Sequence, residues 1–226
     1  VEEFFTEQLK RIDWLKELDP ETQLIGVGGS FRSLCKLVKM TKRSPLNTVH
    51  NCRITLDEFE NVYDMIKVLD LDKKKRIKGI SSERADILPS ALAAMNSFIK
   101  YVGFERIAIS GCGLREGIMF NYAVPTTIEK PISDVLTYSL QTLVRFYNCN
   151  IKHVEHVVNL SVQLFKQLRV LHKFPRQYLK ILKVVAMLHD SGAAIKYYNY
   201  EKHTAYIIQN ASIYGLTNRE MVMASL

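Results

Sequence analysis

The feature that most constrains this chain is a break in its local signals. Two strand, glycine-turn, helix units occupy the first half, and beyond Pro125 and Pro131 the strand signals stop. "TQLIGVGGS" reads as a short buried strand entering a glycine turn. "SFRSLCKLVKM" continues as a helix, with Phe31, Leu34, Leu37 and Val38 on one face and Arg32, Lys36 and Lys39 largely opposite. "ERIAIS" followed by "GCGLREGIMF" repeats the unit, and two such units in one region argue for an α/β layer. From Ser133 to Leu226 almost everything has helical periodicity. Its clearest run, Val154, Val157, Val158, Leu164, Phe165, Leu168 and Leu171, is a wide apolar face of the kind a core-facing helix needs. The expected division is residues 1–127 and 128–226, with the boundary near 125–132.

Smaller elements fill the first half. Phe4, Phe5, Leu9, Ile12, Leu15 and Leu18 predict an opening helix, stopped by Asp19 and Pro20. Thr55 and Glu58 form a capping box ahead of Phe59, Val62, Tyr63 and Ile66, in a helix that ends near Leu69. "DLDKKKRIKGISSERAD" is polar and charged and reads as an exposed loop. "ILPSALAAMNSFIKYVG" reads as a helix with Ala91, Leu92, Met95, Phe98 and Ile99 buried and Gly103 as its stop.

At 226 residues and 47% hydrophobic content, the chain can bury one large core or two modest ones. No apolar run approaches the roughly 18 to 20 residues that cross a bilayer, and no secretory leader opens the chain. Cys35, Cys52, Cys112 and Cys149 lack CxxC spacing and read as reduced, buried thiols. A soluble cytoplasmic protein without membrane association is the expectation. The chain begins at Val1 rather than Met and opens directly on a helical pattern, so an artificial or processed N-terminus is also expected. The net charge of +8 is uneven, because residues 128–226 hold 12 Lys or Arg against 6 Asp or Glu. Such a surface either attracts a polyanion or is simply a basic surface without a partner.

Backbone amides at a glycine turn, together with the positive end of the following helix, can hold a phosphate without side-chain charge. "GVGGSFR", residues 26–32, suits that role: Gly28 and Gly29 permit close approach, Ser30 can cap or donate, and Arg32 is placed to reach an oxygen. It is neither a Walker loop nor a full GxGxxG fingerprint, and a plain tight turn explains it equally. "GCGLREG", residues 111–117, offers a second turn with Arg115 and Glu116, which also read as ordinary helix residues. Glu83, Arg84 and Asp86 read as solvated loop charge ahead of a cleft network.

His153, the pair His189 and Asp190, and His203 occur in the order used by helical HD-type metal phosphohydrolases, where imidazole and carboxylate hold a divalent ion that activates water. No Asp follows Asp190, so the final carboxylate of such sites is missing and no metal ligand is assigned. His156 and His172 read as single surface histidines without an evident partner.

Taken in order, "LIGVGGSFRSLCKL", "SSERADILPSALAAM", "ISGCGLREGIMF", "LHDSG" and "EKHTAYIIQNA" resemble the exopolyphosphatase and guanosine pentaphosphate phosphohydrolase (Ppx/GppA) family over nearly the whole chain. The resemblance implies the second of two actin-like, ribonuclease-H-like α/β domains for residues 1–127, followed by an all-α HD-like helical domain over 128–226, continuing beyond Leu226. It implies hydrolysis of a terminal phosphoanhydride of inorganic polyphosphate or guanosine pentaphosphate, in a cleft whose catalytic glutamate, main magnesium ligands and first phosphate loop lie in a preceding domain. Gly26, Gly28, Gly29, Ser30 and Arg32 match the family's second phosphate loop, Ser30 standing where many relatives have Thr. The chain alone is then expected to bind phosphates without turning them over, and to carry no catalytic residue. Mg2+ is the implied cofactor, a homodimer is a possible assembly, and nucleic acid is not an expected partner. An independent HD-type metal hydrolase and a non-catalytic anion-binding or dimerisation module are the competing readings.

Overall fold

The computed structural model describes residues 1–19, 21–123 and 132–226. The chain forms two compact units, residues 1–45 with 49–123 and residues 46–48 with 124–226. The boundary expected at 125–132, including Pro125 and Pro131, falls almost wholly on residues 124–131, outside the described residues, as does Pro20. The fold class is the expected one, α/β followed by all-α.

The first unit runs α1 (Glu2–Leu9), β1 (Leu24–Gly26), α2 (Gly29–Thr41), β2 (Cys52–Thr55), α3 (Leu56–Val68), α4 (Leu71–Arg76), α5 (Leu88–Val102), β3 (Arg106–Ile109) and α6 (Leu114–Ala123). The sheet order is β1-β3-β2, with β3 central, parallel to β1 and antiparallel to β2. β2 has no counterpart among the elements expected from sequence. Its alternation is only four residues long, with Cys52 and Ile54 buried and Arg53 and Thr55 exposed, so it becomes a strand through its pairing with β3. Phe59, Leu34, Leu37, Ile54, Leu92 and Ile107 are among the fully buried side chains of this unit's core.

Local chemistry fixes several boundaries as expected. Thr55 and Glu58 form the reciprocal capping box of α3, and Gly103 closes α5 in the left-handed conformation at φ 86°. Three expectations need correction. The opening helix stops at Leu9 and resumes as a 3-10 turn over Asp13–Glu17, leaving Phe4 and Phe5 exposed. Polar contacts anchor it instead: the Glu2 carboxylate accepts from Tyr63 Oη at 2.8 Å and Asn96 Nδ2 at 2.7 Å. Those bonds hold Glu2 below the usual carboxylate range, while burial and then Glu2 push the Tyr63 phenol up to about 12. The expected charged loop contains α4, started by the Asp70 side chain accepting from Lys73 N, and a 3-10 turn over Ser82–Arg84. The buried face of α5 is rotated, with Leu88, Ala93, Asn96 and Ser97 buried beside Leu92 and Ile99.

The second unit consists of α7 (Val135–Phe146), α8 (Ile151–Gln167), α9 (Arg169–His172), α10 (Tyr178–Leu188), α11 (Tyr200–Asn210) and α12 (Asn218–Ser225). Leu140, Val144, Val154, Val184, Leu188 and Met221 are among its core residues. Among the described residues no helix is long and apolar enough to cross a membrane. The apolar face expected from Val154 to Leu171 is covered in part. Val154 is buried and Val157, Val158 and Phe165 are half-buried, while Leu164, Leu168 and Leu171 are 54%, 45% and 77% exposed. Periodicity places these residues on one face, and α8 packs chiefly on α10, whose end meets His153 and whose start lies beside Phe165.

This gives a direct check of the packing. Leu188→Ala, at a fully buried position, should cost about 2–5 kcal/mol of stability. Leu171→Ala should stay within about 0.5 kcal/mol. Urea unfolding followed by circular dichroism reads both, and equal losses would contradict the packing described.

Candidate functional site

Because β1 and β3 are parallel neighbours, with Gly26 opposite Ile109, the turns that leave their C-terminal ends emerge side by side. Ser110 N donates to Gly26 O at 2.9 Å and ties the two exits together. The first turn carries Gly26, Gly28, Gly29, Ser30 and Arg32, and the second carries Gly111, Gly113, Arg115 and Glu116. Each is followed at once by a helix, α2 and α6 respectively.

The two helix starts differ in how their amides are met. α2 begins after Gly28, which has no side chain to cap it, and the first intrahelical bond is Arg32 N to Gly28 O at 3.1 Å. The amides of Gly29, Ser30 and Phe31 therefore have no partner within the helix. By contrast, α3, α7, α8 and α12 each begin with a side chain accepting from the third helical amide: Thr55, Asp134, Asn150 and Thr217. At α6 the Glu116 carboxylate accepts from Gly113 N at 2.7 Å. The amides of Gly113 and of Glu116 itself, then Arg115 and Arg32, hold that carboxyl below its usual range. The second turn is thus filled by its own acid, whereas the start of α2 has no side-chain cap.

Close packing sets the glycines. A Cβ at Gly26 would meet the Phe31 ring, and one at Gly29 would collide with the Arg84 guanidinium. Gly28 stands at φ 107°, ψ −177°, a region essentially reserved for glycine. Arg84 is exposed, as are Glu83 and Asp86, but beyond the solvated loop charge read from sequence it lays its guanidinium on the start of α2. No periodic pattern in "SERAD" announces this, because the placement depends on how the 3-10 turn folds back. Arg32 points toward the second turn, its Nη2 3.8 Å from where a Gly113 Cβ would stand, and its buried Nε has no hydrogen-bond partner. Among the described residues neither Arg32 nor Arg84 forms an ion pair. His50 lies behind the second turn, where its Nδ1 accepts from Gly111 N at 3.3 Å and burial pushes its pKa down. All four cysteines are free thiols, but only Cys35 and Cys52 are buried as expected, Cys112 and Cys149 being half-buried.

In the helical unit, His153 on α8 meets His189 and Asp190 at the end of α10, all three ligand atoms lying within 4.8 Å of one another. His203 is not part of this group, although its neighbour Thr204 supports it: Thr204 Oγ1 donates to His189 O and accepts from Gly192 N, each at 3.0 Å. His172 is not partnerless. Phe174 N donates to its Nδ1 at 2.9 Å, which leaves Nε2 to donate to Phe165 O at 2.8 Å, so it is a structural staple of the turn after α9.

Sequence comparison decides the family. Residues 3–124 match the profile of the Ppx/GppA phosphatase family, and residues 135–226 match that of Ppx/GppA phosphatase, domain III. The chain belongs to the Ppx/GppA phosphatase family. Among curated relatives, the guanosine-5'-triphosphate,3'-diphosphate pyrophosphatase of Aeromonas hydrophila is 24% identical over 202 residues, covering 89% of this chain and 38% of that protein. The enzyme of that name from Pseudoalteromonas translucida is 25% identical over 198 residues, covering 86% of this chain and 37% of its own length. The chain therefore spans little more than a third of these relatives. Among solved structures, the Aquifex aeolicus Ppx/GppA family member aligns over 56% of this chain and 42% of its own, at 19% identity and a TM-score of 0.46.

The backbone at the first turn generates a contrast of two glycines. Gly28→Ala meets no neighbouring atom yet should cost about 1–3 kcal/mol, because alanine does not tolerate the backbone there. Gly117→Ala, inside α6 and in open space, should be neutral or stabilising by up to about 1 kcal/mol. Thermal or urea unfolding of both variants checks this, and a silent Gly28→Ala would contradict the turn geometry.

Proposed function

We propose that this chain supplies one wall of a phosphoanhydride-hydrolysing cleft, with the first glycine turn as its phosphate seat. The amides of Gly29, Ser30 and Phe31 and the N-terminal end of the α2 dipole face an anion, and Gly26 and Gly28 give the turn its shape. Ser30 offers a hydroxyl, Arg84 offers a guanidinium at Gly29, and Arg32 offers one toward the second turn. The observation that carries this reading is the start of α2: uncapped by any side chain, overlaid by the Arg84 guanidinium, and unlike the neighbouring start of α6, which its own glutamate fills.

Membership of the Ppx/GppA phosphatases supports a phosphoanhydride substrate, and the names of the curated relatives favour guanosine pentaphosphate over inorganic polyphosphate. Developing charge on a transferred phosphoryl group would be met here by preorganised amides and guanidinium groups, the form of stabilisation such reactions most need. The donor set at the turns does not fit a magnesium ion. Mg2+ takes several oxygen ligands, usually carboxylates, and the two turns carry a single carboxylate, Glu116, whose Oε2 accepts from Gly113 N. We therefore assign the activating carboxylate and any magnesium ligands to residues outside this chain, and no catalytic residue within it. On this reading the chain alone binds phosphates without turnover.

Titration of guanosine pentaphosphate into wild type, Arg84→Ala and Arg32→Ala at fixed ionic strength tests the proposal. Loss of either charge-assisted hydrogen bond should weaken binding by roughly 1.5–3 kcal/mol, with the wild-type affinity falling as salt rises. Equal affinities in all three proteins would remove both arginines from the site.

A further inference from the structure

The helical unit holds a second constellation, separate from the glycine turns. His189 Nδ1 lies 2.8 Å from Ala186 O. A carbonyl oxygen only accepts, so Nδ1 carries the proton and a neutral His189 turns its Nε2 lone pair outward. That lone pair faces Asp190 Oδ2 at 3.1 Å and His153 Nε2 at 3.4 Å, and His153 Nε2 is itself 3.5 Å from Asp190 Oδ2. With a neutral His153 protonated on Nε2, its one N–H faces two acceptors at 3.4 and 3.5 Å, and the edge between His189 Nε2 and Asp190 Oδ2 holds no proton. A cation seated on the triangle satisfies all three.

The triangle has the dimensions of a coordination face. An ion about 2.1 Å from each ligand atom needs ligand separations of about 3.0 Å at right angles and about 3.4 Å at tetrahedral angles. The observed edges run from 3.1 to 3.5 Å. The supports are also those of a metal site. The carbonyl of Ala186 fixes the His189 tautomer, as outer hydrogen bonds do for ligating imidazoles. Asn150 caps α8 by accepting from His153 N at 3.1 Å, and Thr204 with Gly192 fastens the turn that carries Asp190.

We propose that His153, His189 and Asp190 bind one divalent first-row transition ion, through the two Nε2 atoms and Oδ2. Two imidazoles and one carboxylate suit zinc, cobalt, nickel, iron or manganese better than magnesium or calcium. Three protein ligands leave the remaining positions to solvent or an oxyanion, and the side chains are open to it, His153 being 51% exposed.

The test uses the whole chain, stripped with a chelator and titrated with cobalt(II) while its visible ligand-field absorption is recorded. Wild type should take up one ion per chain. Asp190→Asn and His153→Ala should each lose at least the roughly 10- to 100-fold in affinity that removal of an outer-shell partner costs. His153 lies on the exposed side of the group, so His153→Ala should keep the wild-type far-ultraviolet circular dichroism even if His189→Ala does not fold. Absence of cobalt uptake by wild type, or uptake that a folded His153→Ala leaves unchanged, overturns the proposal.

Discussion

The parallel pairing of β1 with β3 is the constraint on which the rest of the α/β unit depends. Because the two strands point the same way, their glycine turns leave one edge of the sheet together, and the helices that follow present their N-terminal ends to the same region. Antiparallel pairing would have sent one turn to the opposite edge. The bond from Ser110 N to Gly26 O fixes the registry of the exits. The difference between the turns then comes from side chains: glutamate three residues into one, and glycine with an overlying arginine at the other.

Much of this was legible in the sequence, because local chemistry decides it. A strand that ends in glycine, a Thr55 and Glu58 capping box, and a helix stopped at Gly103 need no knowledge of distant residues. What was not legible depends on such knowledge. β2 is too short for its alternation to register and becomes a strand by pairing with β3. Arg84 lies more than 50 residues from the turn it covers, and nothing in "SERAD" distinguishes a guanidinium folded onto α2 from one in solvent. α1 is held by a carboxylate, Glu2, bonded to Tyr63 and Asn96, although its phenylalanines promised apolar packing. Hydrophobic spacing on α8 correctly gave a helix and a face, but spacing cannot say whether anything covers that face.

The histidines illustrate a related limit. Sequence order grouped four residues, His153, His189, Asp190 and His203, and the fold brings three together while assigning the buried Thr204, next to the fourth, to support. His172, without a visible partner in the sequence, finds two backbone partners within seven residues. The two units thus assemble polar groups by different means. In the α/β unit, unfilled backbone amides and unpaired guanidinium groups suit an anion. In the helical unit, convergent acceptors suit a cation.

The central claim, that the open start of α2 is the phosphate seat, is tested most directly by amide chemical shifts. In a nitrogen-15-labelled sample titrated with pyrophosphate, the account predicts that Gly29, Ser30 and Phe31 shift together and saturably, while Gly113, already bonded to Glu116, moves far less. Shifts confined to other residues, or none at the α2 start up to saturating pyrophosphate, would contradict it.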